Sequence, residues 1–169
     1  MPIQRLNHAV LYVRDVERSV AFYREALGFE VVMSMRGAAF LQAEGSTNDH
    51  DLGLFEVGAA AAPSPAGRSA VGLYHLAWEV DTLDELERLS IRLSELGALV
   101  GASDHATTKA LYARDPDGLE FEVSWLVPAA LIDERVLAAR AGIRPLDLAA
   151  DKERYGARTR GGVSVSIPA

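Results

Sequence analysis

The sequence predicts an α+β fold of two tandem βαβββ modules followed by a C-terminal helical extension, and three observations predict it. The chain repeats itself: HAVLYVRDVERSVAFYREALGFEVV from His8 and HLAWEVDTLDELERLSIRLSELGALV from His75 each read as strand, helix, glycine stop and strand. Each copy carries a helix-start residue before its helical run (Asp15, Thr82) and a glycine after it (Gly28, Gly97). Short apolar segments separated by turn residues complete each copy with further strands. Residues 1–128 are expected to form a single domain, with module one at 4–57, a linker at 58–72 and module two at 73–126, and residues 129–169 form the extension.

Residues 5–13 are apolar and β-rich, and the pleat places Leu6, His8, Val10 and Tyr12 on one face and Asn7, Ala9, Leu11 and Val13 on the other. Asp15 is suited to cap a helix whose apolar positions Val16, Val20, Tyr23 and Leu27 recur at helical spacing. Gly28 ends that helix, because glycine adopts the left-handed conformation without a Cβ penalty. Residues 30–35, 38–43 and 52–57 then read as strands, with the polar stretch 44–50 as the turn before the last.

Residues 58–72, with Pro63, Pro65 and several alanines, have linker composition. In module two, Tyr74, Leu76, Trp78 and Val80 alternate with Leu73, His75, Ala77 and Glu79, so His75 lies on the face opposite Trp78. Thr82 and Glu85 form a capping box for a helix through Leu96, and strands follow at 98–102, 109–114 and 119–125. Asp115-Pro116-Asp117-Gly118 is the turn between the last two. In the final strand Phe121 and Val123 point one way and Glu122 the other, which turns Glu122 toward a cavity if the apolar pair packs under the helix. Val10, Leu52, Leu54 and Ala77 are expected to line that cavity. Beyond Pro128, residues 129–141 read as a helix, 151–162 as polar and turn-rich, and Val163, Val165 and Ile167 as a short alternation.

Composition narrows the function. A chain of 169 residues can bury roughly 70% of its unfolded surface, so it needs no structural metal, and any metal it takes is functional. A formal charge of −7 leaves no basic stripe to neutralise phosphates, which argues against a nucleic-acid partner. No stretch approaches the ~20 apolar residues of a membrane span, and no charged region precedes an apolar run near Met1, so a cytoplasmic protein without a membrane partner is expected. The absence of cysteine excludes thiolate ligands and nucleophiles, leaving nitrogen and oxygen donors.

A lone strand histidine is ordinarily structural, and an inward glutamate without a cationic partner is costly or takes up a proton, the structural alternative for Glu122 being a pairing with an arginine. Here two histidines occupy equivalent strand positions and Glu122 closes the second copy. Two imidazole nitrogens and one carboxylate leave positions open on an octahedral divalent ion, a set suited to Fe(II) that binds substrate and oxygen together.

The run Tyr74-His75-Leu76-Ala77-Trp78-Glu79-Val80 and the run from Asp115 to Glu122 carry a family likeness. With the repeat as a whole, residues 4–126, they resemble the vicinal oxygen chelate superfamily of glyoxalase I, the bleomycin and fosfomycin resistance proteins and the type I extradiol dioxygenases. The closest likeness is to a small single-domain extradiol (catechol 2,3-) dioxygenase, and the extension lies outside it. This resemblance implies a glyoxalase-like fold and a metal held by His8, His75 and Glu122, with Fe(II) as cofactor and Mn(II) able to substitute. His50, followed by Asp51 and an alternating apolar run, is similar to the family's second-sphere histidine, while Tyr112 and His105 match its tyrosine and upstream histidine.

The implied substrate is a small aromatic diol, cleaved beside its hydroxyls with dioxygen. A bound ion would lower the pKa of both hydroxyls, His50 would carry a proton, and His105 and Tyr112 would hydrogen-bond the reacting oxygens. His105 alternatively reads as an exposed turn histidine. Glu56 complicates the assignment, because Phe55-Glu56-Val57 repeats Phe121-Glu122-Val123. As a fourth ligand it would resemble glyoxalase I, with Ni(II) or Zn(II). A metal-free binding protein of the bleomycin-resistance type is the third reading. The resemblance also implies a homodimer.

Overall fold

The computed structural model describes every residue except 1, 4, 67, 68, 164 and 167–169. Its chain divides into two units, Met1–Pro65 with Asp115–Leu119, and Ala66–Arg114 with Glu120–Ala169.

The first unit holds β1 (Ala9–Val13), α1 (Val16–Leu27), β2 (Glu30–Met35), β3 (Ala38–Gln42) and β4 (Leu52–Glu56). They form a sheet of order β1-β4-β3-β2 against which α1 packs. Asp15 accepts the Arg18 N–H at 2.9 Å, and Gly28 closes α1 at φ 73°, as the capping pattern predicts. In the parallel β1/β4 pair Ala9 lies beside Leu52, Val10 beside Gly53 and Leu11 beside Leu54. Leu52 and Leu54 therefore join Leu11 and Val13 in the core under α1, and are fully buried. This corrects the expected cavity lining: Val10 is exposed on the opposite face with Tyr12, which Phe40 and Gly53 share. The turn at 115–119 belongs to this unit: the Arg14 guanidinium donates to Asp117 at 2.8 Å and the buried Tyr23 hydroxyl to Asp115 at 3.2 Å.

The second unit repeats the plan with β5 (Leu76–Glu79), α2 (Leu83–Glu95), β6 (Leu99–Asp104), β7 (Thr108–Arg114) and β8 (Glu120–Leu126), in sheet order β5-β8-β7-β6. Leu83, Leu86, Leu89 and Leu93 bury one face of α2 at helical spacing. Thr82 caps it by accepting the Glu85 N–H, but the return half of the capping box is replaced, because the Glu85 carboxylate is held by Arg88.

The extension departs from expectation. In place of one helix over 129–141 there is a single 3-10 turn, Ala129–Leu131, and a short α3 (Glu134–Ala139), separated by extended Ile132 and begun afresh by Asp133, which accepts the Val136 N–H. The stretch read as turn-rich contains α4 (Leu148–Tyr155). Only Asp151 and Tyr155 of that helix are buried, so its sequence carries almost no apolar stripe. Val163 and Val165 fall in turns rather than a strand, and Ile167 lies outside the described residues. Among the described residues no helix is long and apolar enough to cross a membrane.

The extension is seated on β8 through Gly161, whose N–H donates to Asp81 O at 2.8 Å. A Cβ there would stand 2.0 Å from Leu126 O and 2.8 Å from the Trp125 indole nitrogen. Gly161→Ala is expected to cost about 1–3 kcal/mol by overpacking. A thermal melt checks this, and an unchanged midpoint would contradict the seating.

Candidate active site

Each unit gathers part of the candidate set. In the second, β8 is flanked by β5 and β7, with Ala77 and Tyr112 both in register with Glu122. His75, just before β5, brings Nε2 to 3.2 Å from Glu122 Oε2, with the two side chains 23% and 13% exposed. Arg114, the guanidinium nearest in sequence, is engaged by Glu120 instead. His105 Nε2 lies 2.9 Å from the Tyr112 hydroxyl, and the His75 and Tyr112 rings are 5.8 Å apart. The four residues form one continuous polar group on the sheet. His105 is thus half-buried and partnered, not the exposed turn residue of its alternative reading.

Burial, reinforced by the charge of Glu122, pushes the Tyr112 phenol up to about 12. Tyr112 therefore remains protonated across neutral pH and keeps a proton to donate.

In the first unit, His8 stands just before β1 and His50 just before β4, with ring centroids 4.5 Å apart. Phe40 meets His50 edge-on at 5.0 Å. His8 Nδ1 lies 2.7 Å from Asn7 Oδ1 and His50 Nδ1 lies 3.0 Å from Asp49 Oδ2. A histidine whose Nδ1 donates to such an oxygen has Nε2 left as the nitrogen available to a ligand or a proton. Alternation along β4 would send His50 to the core side with Leu52, but its loop is tied otherwise. Asp51 accepts the Ala43 N–H, the Ser46 hydroxyl and the Asn48 amide at 2.7–2.8 Å, and Asn48 in turn donates to Asn7 O. Asp51 is the positioning residue the sequence reading passed over. Its signal was the Ser46, Asn48, Asp51 spacing of side chains that bond locally to backbone.

Glu56, the possible fourth ligand, accepts the Val16 N–H at 3.2 Å and so satisfies the first turn of α1.

Among the described residues no group of three or more His, Asp or Glu side chains forms that could hold a metal ion. The ligand candidates come as the His75 and Glu122 pair in one unit and as His8 in the other. The pair itself suits an ion: two donors each ~2.1 Å from one ion at a right angle lie ~3 Å apart, close to the 3.2 Å seen. His75 Nδ1 is buried without a hydrogen-bond partner. No group bonded at Nδ1 therefore sets which nitrogen of the His75 ring carries the proton.

Residues 5–123 match the family model described as the Glyoxalase/Bleomycin resistance protein/Dioxygenase superfamily. The chain is 37% identical over 118 residues to a catechol-2,3-dioxygenase of Bacillus subtilis (strain 168), a match covering 70% of this chain and 40% of that protein. It thus spans about two fifths of that relative's length. It is 26% identical over 125 residues to a metallothiol transferase of Lysinibacillus sphaericus (strain C3-41), covering 72% of this chain and 82% of the transferase. Among solved structures, a glyoxylase/bleomycin resistance protein/dioxygenase domain from Frankia sp. EAN1pec superposes with a TM-score of 0.62 at 24% identity, over 73% of this chain and 92% of that one. This last likeness concerns the fold.

Proposed function

Because the chain belongs to the glyoxalase/bleomycin resistance protein/dioxygenase superfamily, we propose that it is a metal-dependent extradiol dioxygenase cleaving a catechol-like ring beside its diol. The observation that carries this reading is the His75, Glu122, Tyr112 and His105 group, which sets a metal-capable pair against a protonated phenol. In this proposal His8, His75 and Glu122 hold Fe(II), with Mn(II) able to replace it. Such an ion, when bound, would supply Lewis-acid chemistry that lowers the pKa of the diol. His50 accepts the proton of a substrate hydroxyl and later returns one. Tyr112 donates a hydrogen bond to a substrate oxygen where negative charge gathers, and His105 orients the phenol. A cytoplasmic homodimer completes the proposal.

A second reading is a glyoxalase I-type lyase with Ni(II) or Zn(II) and Glu56 as a fourth ligand, favoured by the repeat of Phe55-Glu56-Val57 in Phe121-Glu122-Val123. The bond from Val16 to Glu56 weighs against it, since the carboxylate already serves α1.

Anaerobic purification with elemental analysis, then Fe(II) loading and exposure to catechols, separates the two. Yellow ring-opened product with matching oxygen uptake is expected. Bound nickel or zinc with turnover of a methylglyoxal–thiol adduct would replace the proposal with the lyase. No metal at all would leave a small-molecule binding protein.

A further inference from the structure

The extension that lies beyond the family match reaches His105 through a buried ion network. Lys109 on β7 is only 2% exposed, and its ammonium donates to Asp104 Oδ1 at 2.6 Å and to Asp151 on α4 at 2.9 Å. A buried ammonium is costly unless fully paired, so these carboxylates are required where they stand. Asp104 is a junction. Its Oδ1 also accepts the Ala106 N–H at 2.7 Å, and its Oδ2 accepts the Arg144 guanidinium at 2.8 Å. The backbones of Asp104 and Arg144 exchange hydrogen bonds of 2.8 and 3.0 Å, adding a segment of the extension to the end of β6.

The junction sits one residue before His105, in a turn with an unusual backbone. Ala106 holds φ 67°, a conformation that side chains with a Cβ rarely adopt. The bond from the Ala106 N–H to Asp104 holds it there. His105 N donates to Thr108 O at 2.9 Å, so the direction of its ring follows from the shape of this turn. The ring then reaches Tyr112 at 2.9 Å.

We infer that Arg144 and Asp151 of the C-terminal extension are positioning residues for His105, acting through Asp104 and Lys109 on the turn that aims the imidazole at Tyr112. The role in catalysis rests on the ring-cleavage reading above; the coupling to His105 does not. The extension is then a working part of the site, and its removal would loosen the His105–Tyr112 pair.

The test is made on the full chain. The protein has four histidines, so imidazole nitrogen NMR gives a small set of signals, and His105→Gln assigns the one of interest. Arg144→Ala is the main variant, since Arg144 is 52% exposed and its loss leaves the core intact. It is expected to shift the His105 signal, to lower kcat about 10-fold by misplacing the ring, and to leave KM within about twofold. Arg144→Lys is expected to restore much of both, because one N–H bond to Asp104 can re-form. Asp151→Asn is expected to move the same signal from the far side of Lys109. Arg158→Ala, which removes an exposed guanidinium of the same extension, is expected to change neither. An unmoved His105 signal in folded Arg144→Ala and Asp151→Asn proteins would overturn the inference. Failure of the wild-type protein to cleave any catechol would overturn the ring-cleavage reading alone, while the signal still reports the coupling.

Discussion

Glu122→Ala is expected to strip the protein of its metal and abolish turnover. Outer-sphere partners of metal ligands are commonly worth 10–100-fold in affinity, and removal of a ligand carboxylate is expected to exceed about 100-fold. The expectation rests on how Glu122 is placed. It is half-buried between β5 and β7, its oxygen 3.2 Å from His75 Nε2. As a simple ion pair, that contact would give a different result, because the protein would lose little beyond a partly exposed salt bridge and its metal content would not change. Elemental analysis of the variant beside a thermal melt separates the cases. His75→Ala and His8→Ala are expected to behave alike, and full occupancy in these three variants would end the metal-site proposal. Loss of the Glu122 charge is also expected to bring the Tyr112 phenol down from about 12, since that charge follows burial among the causes of its elevation. Ultraviolet titration of the variant reads this without activity.

Much of the fold was legible because local rules and tertiary packing agree in the repeat. Asp15 and Thr82 begin helices, Gly28 ends one, and the Leu83, Leu86, Leu89, Leu93 stripe is buried as its spacing requires. Strand alternation also assigned Phe121 and Val123 to the core and turned Glu122 away from it. The extension was not legible for the opposite reason. α4 is stabilised where Asp151 meets Lys109 and where Tyr155 packs on Trp125, contacts with residues far away in the chain. No periodicity in residues 148–155 encodes them. Lys109 itself read as one residue of a strand, although it is the charged centre of that packing. The cavity lining failed on register: parallel pairing of β1 with β4 puts Leu52 and Leu54 on the side of Leu11, whereas a single strand gives only alternation. His50 escaped its own alternation because Asp51 ties the preceding loop.

That loop makes His50 the most informative single substitution for the chemistry. His50→Phe keeps an aromatic ring against His8 and Phe40, whose centroids lie 4.5 and 5.0 Å away, and removes both ring nitrogens. Packing and metal content should survive while proton transfer is lost. General acid–base catalysis by a placed histidine is typically worth 10²–10⁴-fold, and a loss of kcat in that range is expected with metal content unchanged. Glu56→Gln makes the opposing test. A glutamine can still accept the Val16 N–H, so α1 stays capped, and only a ligand role for the carboxylate would be disturbed. Ring cleavage and metal content are expected to survive it. If Glu56→Gln loses the metal and His50→Phe retains turnover, the four-ligand lyase is the correct account. The two variants thus weigh His50 against Glu56 directly, the residues whose roles differ most between the two chemistries.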